Sequence, residues 1–132
     1  MGEINWLAVI VAAVSSFVVG ALWYSPAVFG RVWQRETGLS DDQLKASNPA
    51  RIFGGAFVLS LVAAAVFAMF LGPTPALPLA LGAGFAAGLC WVASSFGINY
   101  LFERRSLPLF LVNGGYHTAQ FTVIGLVLGL WH

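Results

Sequence analysis

The chain has 132 residues, of which 59% are hydrophobic and 8% charged, with a net charge of +1 and a mean hydropathy of +0.85. A water-soluble domain carries about 25% charged residues, so these few cannot cover a water-facing surface. Nothing in the charge suggests a nucleic-acid partner, and none is expected; a single cysteine, Cys90 in the apolar run "AGLCWVA", excludes an intrachain disulfide and reads as a small packing residue.

A membrane span needs about 20 apolar residues, and four segments qualify: 4–24, 50–71, 76–101 and 107–131. The fold class expected is an all-α integral membrane protein. Four transmembrane helices form one compact domain over 1–132, with cytoplasmic loops at 25–49 and 102–106 that carry short interfacial helices. The first segment has only Glu3 before it, with no basic stretch and no A-x-A site, so it reads as a retained helix. It ends in "ALWYSPAVFG". Trp23 and Tyr24 are residue types that favour the membrane interface, and Pro26 disfavours helical geometry at Ser25. Beyond it, Phe29, Val32 and Trp33 share one side and Arg31, Gln34 and Arg35 the other, which predicts an interfacial helix from Pro26 to Glu36. Ser40 and Gln43 stand at capping-box spacing and predict a second short helix.

Asn48 and Pro49 are expected to start the second span. Gly72 and Pro73 are expected to stop it, and the third is expected to begin near Pro75. Ser106 is the expected cap of the fourth, with Pro108 in its first turn. All six Lys and Arg fall in two places: Arg31, Arg35 and Lys45 in one loop with Arg51 just beyond it, Arg104 and Arg105 in the other. Four alternating spans put both loops on one side. The positive-inside rule makes that side cytoplasmic and both termini external.

The stretches "WYSPAVFG", "TGLSDDQL" and "INYLFERRSLPLFLVNGGYHTAQF" together resemble an uncharacterised bacterial membrane family, catalogued as domain of unknown function 1761. The resemblance covers nearly the whole chain. It implies a small multi-span protein of the bacterial inner membrane and brings no activity, substrate or cofactor. The two hairpins run in the same direction, which leaves open a parallel duplication. Its signs are Gly20-x-x-Trp23 against Gly88-x-x-Trp91 and Gly54-Gly55 against Gly114-Gly115.

The fourth span carries the chemistry. At about 100° per residue, Asn113, Tyr116, His117 and Gln120 share one face. Gly114, Gly115, Thr118, Thr122, Gly125 and Gly129 share another. Small residues let helices approach closely, so Gly125 and Gly129 are expected to admit a neighbouring helix, and the third span supplies a matching stripe that begins with Gly84 and Gly88. The same periodicity extends that third-span stripe to Trp91, Ser95 and Asn99 and makes Ser95 and Asn99 companions of the polar face. Trp23, Tyr24, Trp33, Arg104 and Arg105 are expected as interfacial anchors.

His117 falls near the bilayer midplane, where a charge costs roughly 2.5 kcal/mol or more, so a neutral imidazole is expected. It serves either a ligand or proton pathway or a structural hydrogen bond. No Asp or Glu lies in a span, no Cys/His cluster suits a metal and no nucleophile–base set is evident. An enzyme, a cofactor and a metal are therefore not expected. Two functions follow. In the first, a homo-oligomer in contact with membrane lipids binds or passes a small polar solute or ion through a cavity lined by the fourth span. In the second, a non-transporting packing or assembly protein uses the polar stripe as a structural network.

Overall fold

A computed structural model describes residues 3–132. Among these it contains helices and no strands. α1 (Trp6–Trp23) is capped by Asn5, whose side chain accepts from the Ala8 amide at 3.1 Å. α2 (Gly30–Thr37) and α3 (Asp41–Lys45) follow, then α4 (Pro49–Leu71), entered through an Asn48 cap on the Arg51 amide. The next helix is continuous in three parts: α5 (Leu77–Ala86), a π-helical segment (Ala87–Ala93) and α6 (Ser94–Glu103). α7 (Leu107–Leu130) starts at Ser106, whose hydroxyl accepts from the Leu109 amide at 3.2 Å.

Two expected helix starts move. The first turn of α5 holds Pro78, and Pro75 stays outside it. The interfacial helix begins at Gly30 rather than Pro26, because the intervening amides turn back on the end of α1. Phe29 donates to the Trp23 carbonyl at 3.0 Å, and Gly30 to the Ser25 carbonyl at 2.9 Å. That reversal brings the backbone so close that a Cβ on Gly30 would run into the Tyr24 carbonyl oxygen. Glycine is therefore required at the end of "WYSPAVFG". The capping box on α3 forms as its spacing suggests: Ser40 Oγ accepts from Gln43 N at 3.1 Å, and Gln43 Oε1 accepts from Ser40 N at 2.7 Å.

The helices lie in the spatial order α4, α1, α7, α5, with α2 laid across α7. The interior is made of small side chains: Ala8, Ala12, Ala13, Ser16, Ala64 and Ala80 are almost wholly buried. Large apolar side chains such as Leu22, Phe53, Leu59 and Phe70 point outward. This inverts the pattern of a soluble bundle. Lipid tails are as apolar as leucine, so close backbone approach drives helix association in a bilayer.

Glycine supplies that approach on the α5–α7 seam. A Cβ on Gly88 would lie 2.6 Å from the His117 carbonyl, and one on Gly125 would strike the carbonyl of Ala80. Three helices are long and apolar enough to cross a membrane: Trp6–Trp23, Pro49–Leu71 and Leu77–Glu103. α7 is not among them despite its 24 residues; Asn113, His117 and Gln120 lower its mean hydropathy.

Glu36, near the end of α2, faces the start of α7. The Ser106 hydroxyl, and then the neighbouring Arg35, hold the Glu36 carboxyl below its ordinary value of 4.5; the Arg35 Nε–Glu36 Oε2 distance is 3.1 Å. A lowered folded-state value means that this interaction contributes fully above the ordinary carboxylate range. It is lost as pH falls through the lowered value. The protection of the α2 amides, taken relative to the intrinsic exchange rate at each pH, is expected to fall on acidification below that range, and Glu36→Gln should remove the dependence. Protection that does not change with pH in the wild type would contradict the interaction.

Candidate functional site: a polar clasp around Asn113

All three tyrosines of the chain gather near Asn113 of α7. Tyr24, at the end of α1, donates its hydroxyl to Asn113 Oδ1 at 2.6 Å. Asn113 Nδ2 in turn donates to the Tyr100 hydroxyl of α6 at 2.7 Å. Three helices are thereby joined through one amide, whose orientation this hydrogen-bond pattern assigns. One residue before Asn113, the Val112 carbonyl accepts from the Trp23 indole N–H at 2.8 Å. One turn further along, the Tyr116 hydroxyl donates to the Ser16 carbonyl of α1 at 3.3 Å. His117 Nδ1 lies 2.7 Å from Gln120 Oε1.

Small residues make room for this layer. Gly115 lets the Trp23 ring lie on α7, since a Cβ there would be 2.9 Å from it. Gly20 likewise faces the Tyr116 hydroxyl.

Aromatic contacts pack around the bonds. The His117 ring stacks on Phe96, with centroids 5.0 Å apart and planes at 14°. Tyr24 meets Tyr116 at 5.4 Å and Trp33 at 6.0 Å, and Trp23 meets Phe29 at 4.8 Å. Off-centre and edge-to-face pairs of this kind add about 0.5–1.5 kcal/mol each beyond area burial.

The structure brings Asn113, Tyr116, His117 and Gln120 together on one face, as expected. It does not bring Ser95 or Asn99 to them. Both are exposed, Ser95 donates to the Trp91 carbonyl of its own helix at 2.7 Å, and Trp91 is 74% exposed. The reason is the π-helical segment. It inserts one residue into the third helix, so the stripe that starts with Gly84 and Gly88 continues as Ala93, Phe96, Gly97 and Tyr100. Phe96 and Tyr100 were thus missed as members of the site. The signal was their own i, i+4 spacing, offset by one from the glycine stripe.

Trp23 and Tyr24, expected as interfacial anchors, spend their polar atoms on α7. Arg104 and Arg105 remain exposed. Arg104 closes α6 in a left-handed conformation at φ 59°, and Arg105 lies 3.4 Å from Glu103.

A groove of about 530 Å³ runs along α7 beside the third helix. Phe85, Leu89 and Phe110 wall it, and Gly114, Thr118 and Ala119 form part of its floor. None of Asn113, Tyr116, His117 or Gln120 lines it. The floor hydroxyls are already used: Thr118 donates to the Gly114 carbonyl at 2.9 Å, and Thr122 to the Thr118 carbonyl at 2.7 Å. Among the described residues no group of three or more His, Cys, Asp or Glu could hold a metal ion.

A family model described as a protein of unknown function, DUF1761, matches residues 7–129. The chain belongs to this family. The DUF1761 match takes in all but the end residues of the long helices, both basic loops and the whole clasp, from Trp23 to Gln120. No curated protein and no solved structure matches the chain.

Proposed function

We propose that this protein is a four-span, single-domain protein of the bacterial inner membrane with a packing or assembly role, in which the polar face of α7 is a structural network. The observation that carries the reading is the Tyr24–Asn113–Tyr100 chain, in which one amide is shared between two hydroxyls at 2.6 and 2.7 Å. Unpaired polar groups in hydrocarbon cost several kcal/mol. A face whose polar atoms are spent on neighbouring helices or on one another can lie in the bilayer, and this supports α7 as the fourth span. Its 24 residues rise about 36 Å, enough to cross. The reading assigns no catalytic role and no cofactor. Copies associate through outward faces such as that of α4, where Gly54 and Gly55 have open space beside them. Side-by-side packing of α1 with α4 and of α5 with α7 is what favours a duplicated hairpin.

The confinement of every Lys and Arg to the two basic regions supports a cytoplasmic end at those loops and external termini. In a Cys90→Ser background, a cysteine at Ser40 should resist a membrane-impermeant maleimide in intact cells, and one at Thr74 should react. The opposite pattern would invert the topology.

The second reading, passage or binding of a small polar solute or ion, rests on His117 in the middle of α7. His117→Ala separates the two. The structural reading expects a loss of about 1–3 kcal/mol as Gln120 loses its partner, with no pH-linked flux in liposomes between pH 5 and 8. Unchanged thermal stability together with the loss of a pH-dependent flux present in the wild type would favour the pathway instead.

A further inference from the structure

The groove beside α7 is long and lined almost wholly by apolar and small residues. It extends from Phe110 to Val123, about 20 Å along the helix axis. Its volume of about 530 Å³ accommodates a chain one carbon thick held at van der Waals separations of about 3.5–4.0 Å. The floor is glycine, alanine and threonine, and the threonine hydroxyls donate to their own helix, so an apolar chain meets no unpaired donor.

Charge complementarity names the rest of the ligand. The two walls of the groove, the third helix and α7, are joined by the loop that carries Arg104 and Arg105. This loop lies just before Phe110, at one end of the groove. Both arginines are exposed. Arg104 makes no ion pair among the described residues, and the Arg105–Glu103 pair is about half exposed on each side. A surface pair of that kind contributes little and yields readily to a competing anion. Juxtamembrane arginines attract anionic headgroups.

We infer that the groove seats one acyl chain of an anionic phospholipid whose phosphate is held by the Arg104–Arg105 loop. The site goes beyond the packing role proposed above and rests on it only in placing α7 within the bilayer. That placement is tested separately: in the Cys90→Ser background, a cysteine at Leu111 should be inaccessible to an impermeant maleimide.

The test uses the full chain purified in mild detergent, with added dioleoyl phosphatidylglycerol or dioleoyl phosphatidylcholine, read by native mass spectrometry. The wild type is expected to retain one phosphatidylglycerol per chain, at least tenfold in preference to phosphatidylcholine. Ala119→Trp, which fills the groove, should reduce retention of either lipid at least tenfold; Val123→Trp does the same at the far end should Ala119→Trp fail to fold. Arg104→Gly with Arg105→Gln should keep one bound lipid but equalise the two headgroups. Glycine suits the left-handed backbone at position 104, so this variant is expected to fold. Equal retention by the wild type and a folded groove-filled variant would overturn the site. So would a headgroup preference that survives loss of both arginines, or a lipid-free dimer that Ala119→Trp dissociates.

Discussion

Gly125→Leu is expected to cost more than about 3 kcal/mol and to prevent the bundle from closing. A Cβ at this position would strike the Ala80 carbonyl, and the Gly84 Cα is 3.6 Å away. Both obstacles are backbone, so no rotamer change relieves them. Overpacking in a well-filled core costs about 1–3 kcal/mol, and more when the neighbours cannot move. In a bilayer the loss is larger in effect, since helix attraction depends on that short-range contact. Two controls set the scale. Gly82→Leu has open space beside it and should shift the melting temperature of the folded chain little. Leu126→Ala, at a side chain 37% exposed, should matter less than Gly125→Leu. Equal melting temperatures for all three variants in detergent would refute the glycine seam.

The second large effect is expected at Asn113. Leucine has nearly the same size, so Asn113→Leu leaves the packing and removes both hydrogen bonds. The hydroxyls of Tyr24 and Tyr100 then lose their partner in a low-dielectric interior, at about 1–3 kcal/mol for each group. The triple variant Tyr24→Phe, Tyr100→Phe, Asn113→Leu should recover most of that loss. Replacing both partners of a buried bond by apolar groups of the same shape is nearly neutral. The coupling energy follows from cycles built on thermal or denaturant melts of the single, double and triple variants. Strict additivity would mean that the three residues do not act as one unit.

How much of this could be read from the residues depends on whether a feature is local. The caps at Asn5, Ser40, Asn48 and Ser106 are all bonds between residues three apart; only the Asn5 cap was not anticipated from the sequence. The face shared by Asn113, Tyr116, His117 and Gln120 was legible because α7 is regular along its whole length. The third helix defeated the same argument. One extra residue in Ala87–Ala93 rotates everything after it, so Ser95 and Asn99 turned outward and Phe96 and Tyr100 took their place. Periodicity holds only while the hydrogen-bond ladder keeps its step.

Trp23 and Tyr24 illustrate a second limit. Their residue types favour an interface, but their partners lie 89 residues away, and nothing nearby in the chain announces them. The start of α2 was displaced for a related reason. Proline punctuates "YSPA" visibly, yet the backbone reversal up to Gly30 is set by long turns rather than by side-chain pattern.

The position of α7 between α1 and α5 has a consequence for biogenesis. The helix that joins the others is synthesised after all of them. Val112 follows Trp23 by 89 residues, so at about 5–20 residues per second the indole waits roughly 4–18 s for its acceptor. During that interval the inner faces of Gly20 and Gly88 have nothing on α7 to approach. Every round of translation therefore includes an unsealed stage. A nascent chain halted before Leu107 leaves the Trp23 indole and the Tyr24 and Tyr100 hydroxyls without the partners that α7 supplies.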